Sequence, residues 1–200
     1  MTDGPRLDFW FDFASTYSYP AAMRIGPLAR TSGVRVRWRP FLLGPIFKAQ
    51  GWNSSPFNLY PAKGRYMWRD LTRVCAALGL PFVRPEVFPQ NSILAARVGV
   101  IAAAEGWEEE FSRAVYRAEF GEGRDIGVTE TIAGVLNLLG KEQGDVIARA
   151  QTDETKSALR RQTDEAQQLG LFGAPSFVTA QGELFWGNDR LETALAWAAR

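Results

Sequence analysis

Two serine hydroxyls stand three residues apart in Ser15-Thr16-Tyr17-Ser18, directly after an aromatic-rich stretch that predicts a strand. Pro20 suits the first turn of a helix, so both hydroxyls lie where the strand gives way to that helix. Free amides and the positive end of a helix dipole stabilise a thiolate at such a place. The Ser15 hydroxyl can donate a hydrogen bond to an incoming thiolate. Its alternative role is that of a helix N-cap, which needs no ligand.

The chain has no histidine and a single cysteine, Cys75. Without histidine there is no base to ionise Ser15, so Ser-His-Asp triads, Cys-His pairs and histidine metal sites are excluded. One cysteine forms neither an internal disulfide nor a Cys-x-x-Cys pair, which excludes a disulfide oxidoreductase. The apolar helix face that includes Cys75 also carries Met67, Leu71, Val74 and Leu78. We therefore expect a buried, inert thiol.

A second segment that could bind a ligand is Ala174-Pro175, which precedes a predicted strand. A cis bond before Pro175 would expose the backbone N–H and C=O of Ala174. These two groups can pair with a peptide-like ligand in the manner of an added strand.

A third segment, Trp186-Gly187-Asn188-Asp189, precedes the last predicted helix. The free amides at a helix start suit a carboxylate, and Asp189 suits an ammonium group. Simple capping of the helix by Asn188 and Asp189 explains the same residue types equally well.

Elements at both ends of the chain must position these segments. Residues 7–13 and 34–43 have the composition of strands, and residues 20–33 between them have a helical apolar face. Pro27 inside that helix predicts a kink or local break. A strand, a helix and a strand in this order form a right-handed βαβ unit with parallel strands.

The rest of the chain is helical until strand signals return near its end. The helical patterns cover residues 63–78, 92–105, 107–120, 129–139, 145–150 and 153–169. Residues 176–179 and 183–186 predict a hairpin, and a helix over residues 190–199 follows. Asp189 is positioned as the N-cap of that helix, with Glu192 completing a capping box.

The two ends share one sheet only if the helical block is an insertion between them. The sequence therefore predicts an α/β fold in which a βαβ half and a ββα half flank a large all-helical insertion. Residues 1–44 and 171–200 would form the sheet-bearing domain, and residues 45–170 the insertion.

Four motifs together resemble the 2-hydroxychromene-2-carboxylate isomerase family, whose relatives are the kappa-class glutathione transferases. They comprise residues 11–19, 61–66, 173–175 and 186–191, in order and over essentially the whole chain. The resemblance implies a thioredoxin-like domain split by helices and glutathione as cofactor. It implies that Ser15 holds the glutathione sulfur and Ala174 the peptide backbone. The glutamyl end would then bind Trp186, Gly187, Asn188 and Asp189.

The resemblance also implies an asparagine near the substrate, matched by Asn58. The register is ambiguous over residues 51–58, so Asn53 is the alternative. Phe88 is a further candidate for substrate contact, and Lys48 is a candidate partner for a substrate carboxylate, with a solvated surface lysine as the alternative. Thr16 stands where family members usually carry proline, which should loosen the turn without removing the Ser15 hydroxyl.

Charge and hydropathy limit the kinds of molecule that the protein is expected to bind. The 23 basic and 22 acidic residues give a formal net charge of +1, so the composition predicts no nucleic-acid or membrane binding. The first residues lack a basic region followed by an apolar stretch, and no apolar run is long enough to cross a bilayer. We expect a soluble, cytoplasmic protein without a bound metal, and the relatives imply a homodimer.

The favoured function is a glutathione-dependent isomerase that interconverts 2-hydroxychromene-2-carboxylate and trans-o-hydroxybenzylidenepyruvate in aromatic hydrocarbon catabolism. Addition of a thiolate to a conjugated double bond, rotation and expulsion of the thiol would isomerise this small aromatic substrate. One alternative is a kappa-like glutathione transferase that releases the conjugate. The other is a non-catalytic binding module of thioredoxin-like fold.

Overall fold

The structure is a computed structural model that describes residues 4–200. Residues 1–3, which belong to the segment examined for a secretory signal, lie outside the described residues. Within residues 4–200, no helix has the length and apolar character needed to cross a membrane.

A four-stranded mixed sheet forms the centre of the fold. Its strands are β1 (Arg6–Phe11), β2 (Arg35–Pro40), β3 (Ser176–Thr179) and β4 (Leu184–Trp186), arranged in the order β2-β1-β3-β4. β1 runs parallel to β2 and antiparallel to β3, which pairs antiparallel with β4. Helix α1 (Ser18–Thr31) connects β1 to β2, so the predicted βαβ unit and the closing hairpin are confirmed.

Helices occupy most of the chain between β2 and β3. They are α2 (Leu43–Ala49), α3 (Pro56–Leu59), α4 (Pro61–Ala77), α5 (Ile93–Glu105), α6 (Glu108–Tyr116), α7 (Thr129–Leu138), α8 (Gln143–Ala150) and α9 (Asp153–Gln168). A π-helical turn, Arg117–Gly121, extends α6. The thioredoxin-like fold with helices between the βαβ and ββα halves is confirmed.

Three local expectations differ from the structure. β1 ends at Phe11 and not at residue 13, because the carboxylate of Asp12 accepts the N–H of Ala14 and closes a turn there. α1 continues through Pro27 without the local break, while a kink at that residue stays a prediction. The short helices α2 and α3 were not predicted, since neither is long enough to show an apolar periodicity.

The predicted capping box of the last helix is wrong. The chain forms a 3₁₀ turn at Asn188–Arg190, and α10 (Leu191–Ala198) begins after it with no side-chain cap. The N–H of Arg190 donates to the carbonyl of Gly187 at 3.0 Å, which closes the 3₁₀ turn ahead of the helix. Glu192 instead forms an ion pair with Arg24 of α1 at 3.0 Å.

The larger of the two buried clusters in the described residues joins the sheet to the helices. The Phe13 ring, after β1, lies 5.9 Å from the Phe111 ring and 5.3 Å from the Tyr116 ring, both of α6. The same continuous cluster extends from Phe9 of β1 to Cys75 of α4. The division into residues 1–44 plus 171–200 and residues 45–170 stays a prediction.

Candidate active site

Ser15 lies in the turn between β1 and α1 and is only 9% exposed. α1 begins at Ser18, and its N-cap position is Tyr17, which makes no side-chain cap. The Ser15 hydroxyl instead donates to the carbonyl of Ala174 at 3.0 Å. The helix-cap alternative for Ser15 is therefore wrong, and the structure brings together Ser15 and Ala174 from opposite ends of the chain.

The backbone around Ser15 offers unpaired donors. The Ala174-Pro175 peptide is cis, as predicted. In the described part of the chain, the N–H groups of Thr16, Tyr17 and Ala174 have no acceptor. Unpaired backbone N–H groups are strong hydrogen-bond donors, so the turn can receive an anionic atom beside a peptide-like chain.

Asp12 holds this turn in place. One of its carboxylate oxygens accepts from Ala14 N at 3.0 Å and from the Ser92 hydroxyl at 2.7 Å, and the other accepts from Leu43 N at 2.7 Å. The turn is thereby tied to the starts of α2 and α5. Burial raises the pKa of Asp12, and its three donors oppose that rise. Sequence reasoning missed this role, and the available signal was an acidic residue within an aromatic run.

Two side chains of the turn anchor α4. The Thr16 hydroxyl donates to the sulfur of Met67 at 3.2 Å, and the Tyr17 hydroxyl donates to Asp70 at 2.8 Å. Thr16 is fully buried, so the residue that was expected to loosen the turn makes a tertiary contact instead. Burial, with Asp70 adding to it, raises the pKa of the Tyr17 phenol, which keeps the hydroxyl a neutral donor.

The aromatic ring of Trp186 lies beside Ala174. It packs on Phe172 with ring centroids 5.0 Å apart and stays 52% exposed. A Cβ at Gly173 would lie 2.5 Å from the indole nitrogen of Trp186, so only glycine permits this approach. Through Gly187, whose N–H donates to Pro175, the segment is fixed to the same turn as Ala174.

Asn188 and Asp189 follow at the edge of this turn. The carbonyl of Asn188 accepts from Arg24 at 3.3 Å, and its side-chain oxygen is buried with no partner among residues 4–200. Asp189 is exposed, forms an ion pair with Arg190 at 3.6 Å, and adds slightly to the raised pKa of Tyr17. The segment thus combines an unpaired acceptor at Asn188 with an exposed carboxylate at Asp189.

Of the four residues predicted to contact the substrate, the structure places two beside one cleft and two away from it. The Asn58 amide donates to the carbonyl of Phe88 at 3.2 Å, so these two lie together beside a cleft of about 480 Å³. Lys48 lies in the last turn of α2 and Asn53 lies in the loop after it. Both are exposed and absent from the lining of the cleft. The ring of Phe57, in the wall of the cleft, is 6.4 Å from the Tyr17 ring and links it to the turn.

Comparison with known proteins gives the family. A family profile described as a DSBA-like thioredoxin domain matches residues 6–196. The 2-hydroxychromene-2-carboxylate isomerase of Sphingobium xenophagum is 30% identical over 188 residues, which cover 93% of this chain and 94% of that protein. The chain belongs to the 2-hydroxychromene-2-carboxylate isomerase family. Its members share the DSBA-like thioredoxin fold with this chain.

Two further similarities agree with membership of the isomerase family. A solved 2-hydroxychromene-2-carboxylate isomerase superposes with a TM-score of 0.86 at 28% identity, covering 98% of this chain and 96% of that one. Glutathione S-transferase kappa 1 of Caenorhabditis elegans is 26% identical, covering 93% of this chain and 87% of that protein. The resemblance drawn from the motifs is confirmed, and the relatives indicate an enzyme.

Proposed function

We propose that this member of the family is a glutathione-dependent isomerase that interconverts 2-hydroxychromene-2-carboxylate and trans-o-hydroxybenzylidenepyruvate in aromatic hydrocarbon catabolism. The observation that carries the proposal is the Ser15 hydroxyl, which is directed at the Ala174 carbonyl beside unpaired backbone donors. The names of the relatives at 30% and 28% identity support the reaction class.

The residues around Ser15 fit glutathione. The unpaired N–H of Ala174 suits the tripeptide backbone, and the buried, unpaired oxygen of Asn188 suits its ammonium group. Asp189, the next residue, adds a negative charge, and Trp186 offers an exposed aromatic face. When bound, glutathione would supply a thiolate that adds reversibly to a conjugated double bond and so permits rotation about it.

The chain's own residues have three tasks in this proposal. Ser15, once its O–H turned from the Ala174 carbonyl to the ligand, and the start of α1 would together stabilise a negative charge on sulfur, because a hydroxyl donor and a helix dipole would act at the same point. Asp12 keeps the turn in its geometry without touching a ligand. Asn58 and Phe88 are the proposed substrate contacts, with Asn53 as the alternative to Asn58. Lys48 is the candidate partner of the substrate carboxylate, with a solvated surface lysine as its alternative.

Substitution of Ser15 tests the proposal. Ser15→Ala should lower turnover of 2-hydroxychromene-2-carboxylate by at least about tenfold, because a charge-assisted donor to the sulfur is lost. Ser157→Ala, on the exposed face of α9, is the matched control and should leave turnover unchanged. Circular dichroism checks the fold of both variants. A near-normal rate in Ser15→Ala would reject the role assigned to Ser15.

A glutathione transferase of kappa type is the second candidate, since a kappa enzyme matches over nearly the whole chain. Product analysis separates the two reactions. An isomer with free glutathione indicates the isomerase, whereas a stable thioether indicates the transferase.

A non-catalytic module is tested by thermal unfolding with and without millimolar glutathione. A ligand at 100 times its dissociation constant stabilises the folded state by about 2.7 kcal/mol. An unchanged midpoint would reject glutathione as the cofactor.

The homodimer and the cytoplasmic location stay predictions. Light scattering after gel filtration measures the oligomeric state.

A further inference from the structure

The cleft beside Asn58 has two arginines and two aromatic rings in its wall. α4 contributes Arg65 and Trp68, α3 contributes Phe57, and Arg84 comes from the segment between α4 and α5. Arg65 and Trp68 stand three residues apart on one face of α4, so both reach the same cleft. Its volume of about 480 Å³ is in the range of small-molecule sites, which is roughly 300–1,000 Å³.

The aromatic part of the wall is held by its own contacts. The guanidinium of Arg84 lies 4.8 Å from the centre of the Trp68 ring. The Phe88 ring packs edge-on against Trp68 at 4.8 Å, and the Asn58 amide holds the carbonyl of Phe88. A cation–π contact and an edge-to-face contact both restrict the rings that they join, so Trp68 and Arg84 are ordered before any ligand arrives.

The two guanidinium groups carry charge that is not neutralised. Many arginines elsewhere have a carboxylate partner, as Arg24 has Glu192 and Arg149 has Asp145. In the described residues, neither Arg65 nor Arg84 forms an ion pair. Two unpaired guanidiniums in an aromatic cleft attract an anion, and the planar fork of arginine matches a carboxylate in particular.

We propose that this cleft is a binding site for a planar aromatic carboxylate, with Arg65 and Arg84 holding the carboxylate and Trp68 contacting the ring. The identification of that ligand with the substrate rests on the proposed function, but the binding itself does not. The assignment moves the carboxylate partner from Lys48, which lies outside the lining, to two residues inside it. The Phe57 ring adjoins both the cleft and Tyr17, so a ligand here lies next to the Ser15 turn.

Calorimetric titration without glutathione tests the site. The probes are trans-cinnamate and its uncharged amide, which share one planar ring system and differ in charge. Wild-type protein should bind cinnamate about tenfold more tightly than cinnamamide, since only the carboxylate forms charge-assisted hydrogen bonds. Arg65→Gln and Arg84→Gln should each weaken cinnamate binding by about tenfold and leave cinnamamide binding unchanged.

Two control variants accompany these. Arg73→Gln removes a guanidinium from the exposed side of α4 and should bind cinnamate as wild type does. Lys48→Gln should also bind cinnamate as wild type does. If this variant alone lost affinity, Lys48 and not the two arginines would be the carboxylate partner. The site is overturned if cinnamate does not bind at millimolar concentration, if the amide binds equally well, or if both arginine variants behave as wild type.

The outcome is separable from that of the proposed function. Arginine-dependent binding of cinnamate in a protein with no isomerase activity would reject the function and keep the site. Normal isomerase activity with arginine-independent binding would reject the site and keep the function.

Discussion

Glu119 is an acidic side chain buried completely in the π-helical turn after α6. Neither of its carboxylate oxygens has a hydrogen-bond partner within residues 4–200. Burial raises the pKa of Glu119 well above its ordinary value, and the carboxylates of Asp12 and Asp125 raise it further. The folded protein therefore favours the protonated form of this side chain more than the unfolded chain does.

This protonation makes stability depend on pH. Above an ordinary pKa of about 4.3, the unfolded chain releases the Glu119 proton while the folded chain keeps it. The free energy of unfolding therefore falls as the pH rises towards the raised pKa, because the folded state binds more protons. Glu119→Gln removes this effect.

The quantity to measure is the melting temperature of Glu119→Gln minus that of wild type. We expect this difference to be about 2 °C larger at pH 8 than at pH 4.5. In a chain of this size, that corresponds to roughly 1 kcal/mol in the free energy of unfolding. Glu183→Gln, on the exposed hairpin loop, is the control and should show no such difference. Equal shifts at both pH values would contradict a raised pKa for Glu119.

Cys75 is fully buried, which confirms the prediction of an inert core thiol. Burial raises its pKa to about 11, so the reactive thiolate is scarce at pH 8. Alkylation by iodoacetamide at pH 8 should be on the order of a hundredfold slower in the native protein than in guanidinium. Mass spectrometry counts the single adduct, and rapid labelling of the native protein would contradict a core position.

At the scale of elements, α3 and α4 meet without a side chain between them. A Cβ at Gly64 of α4 would lie 2.3 Å from the carbonyl oxygen of Phe57 in α3. This close approach fixes Phe57 and Asn58 at the wall of the cleft. The glycine therefore helps to set the position of Asn58, a proposed substrate contact, and of Phe57 beside it.

Substitution of Gly64 should reverse the usual effect of alanine in a helix. Gly64→Ala should lower the free energy of unfolding by about 1–3 kcal/mol, because the backbone of α3 must move. Gly44→Ala in α2, where a Cβ meets nothing within 4 Å, should be neutral or stabilise by up to about 1 kcal/mol. Urea denaturation measures the free energy of unfolding of both variants. A stabilised Gly64→Ala would contradict the prediction, because it would show that α3 can move without loss of stability.

At the scale of the whole molecule, the larger of two buried clusters in the described residues forms a core that the sheet and the helical block share. The cluster that contains Phe9 of β1 also contains Leu71 of α4, Ile132 of α7 and Leu159 of α9. If either the sheet or the helical block unfolded, the other would lose the buried contacts that it makes in this core. The chain should therefore unfold in a single cooperative transition.

Calorimetry and optical melting test this cooperativity. The calorimetric and van't Hoff enthalpies should agree, and ellipticity and tryptophan fluorescence should give one midpoint. Phe111→Ala, which removes a ring packed on Phe13, should cost about 3–5 kcal/mol and shift the whole transition without splitting it. Two transitions, of which one is unmoved, would instead support independent domains.

The sequence by itself determined the order of elements and the family. Apolar periodicity in α4–α9 and the strand composition of β1–β4 are local properties, so they could be predicted from neighbouring residues. The motifs around Ser15, Ala174 and Trp186 likewise gave three parts of the candidate site. The lack of histidine excluded whole classes of chemistry without any structure.

Only the tertiary structure decided which of these parts meet. The donation from Ser15 to Ala174 joins residues 159 positions apart, and no local pattern distinguishes it from a helix cap. The role of Asp12, the loss of the Asp189 cap and the pairing of Arg65 with Arg84 in one cleft depend in the same way on distant elements. Hydrogen bonds and clefts are formed by atoms close in space, whereas a sequence reports only neighbours along the chain.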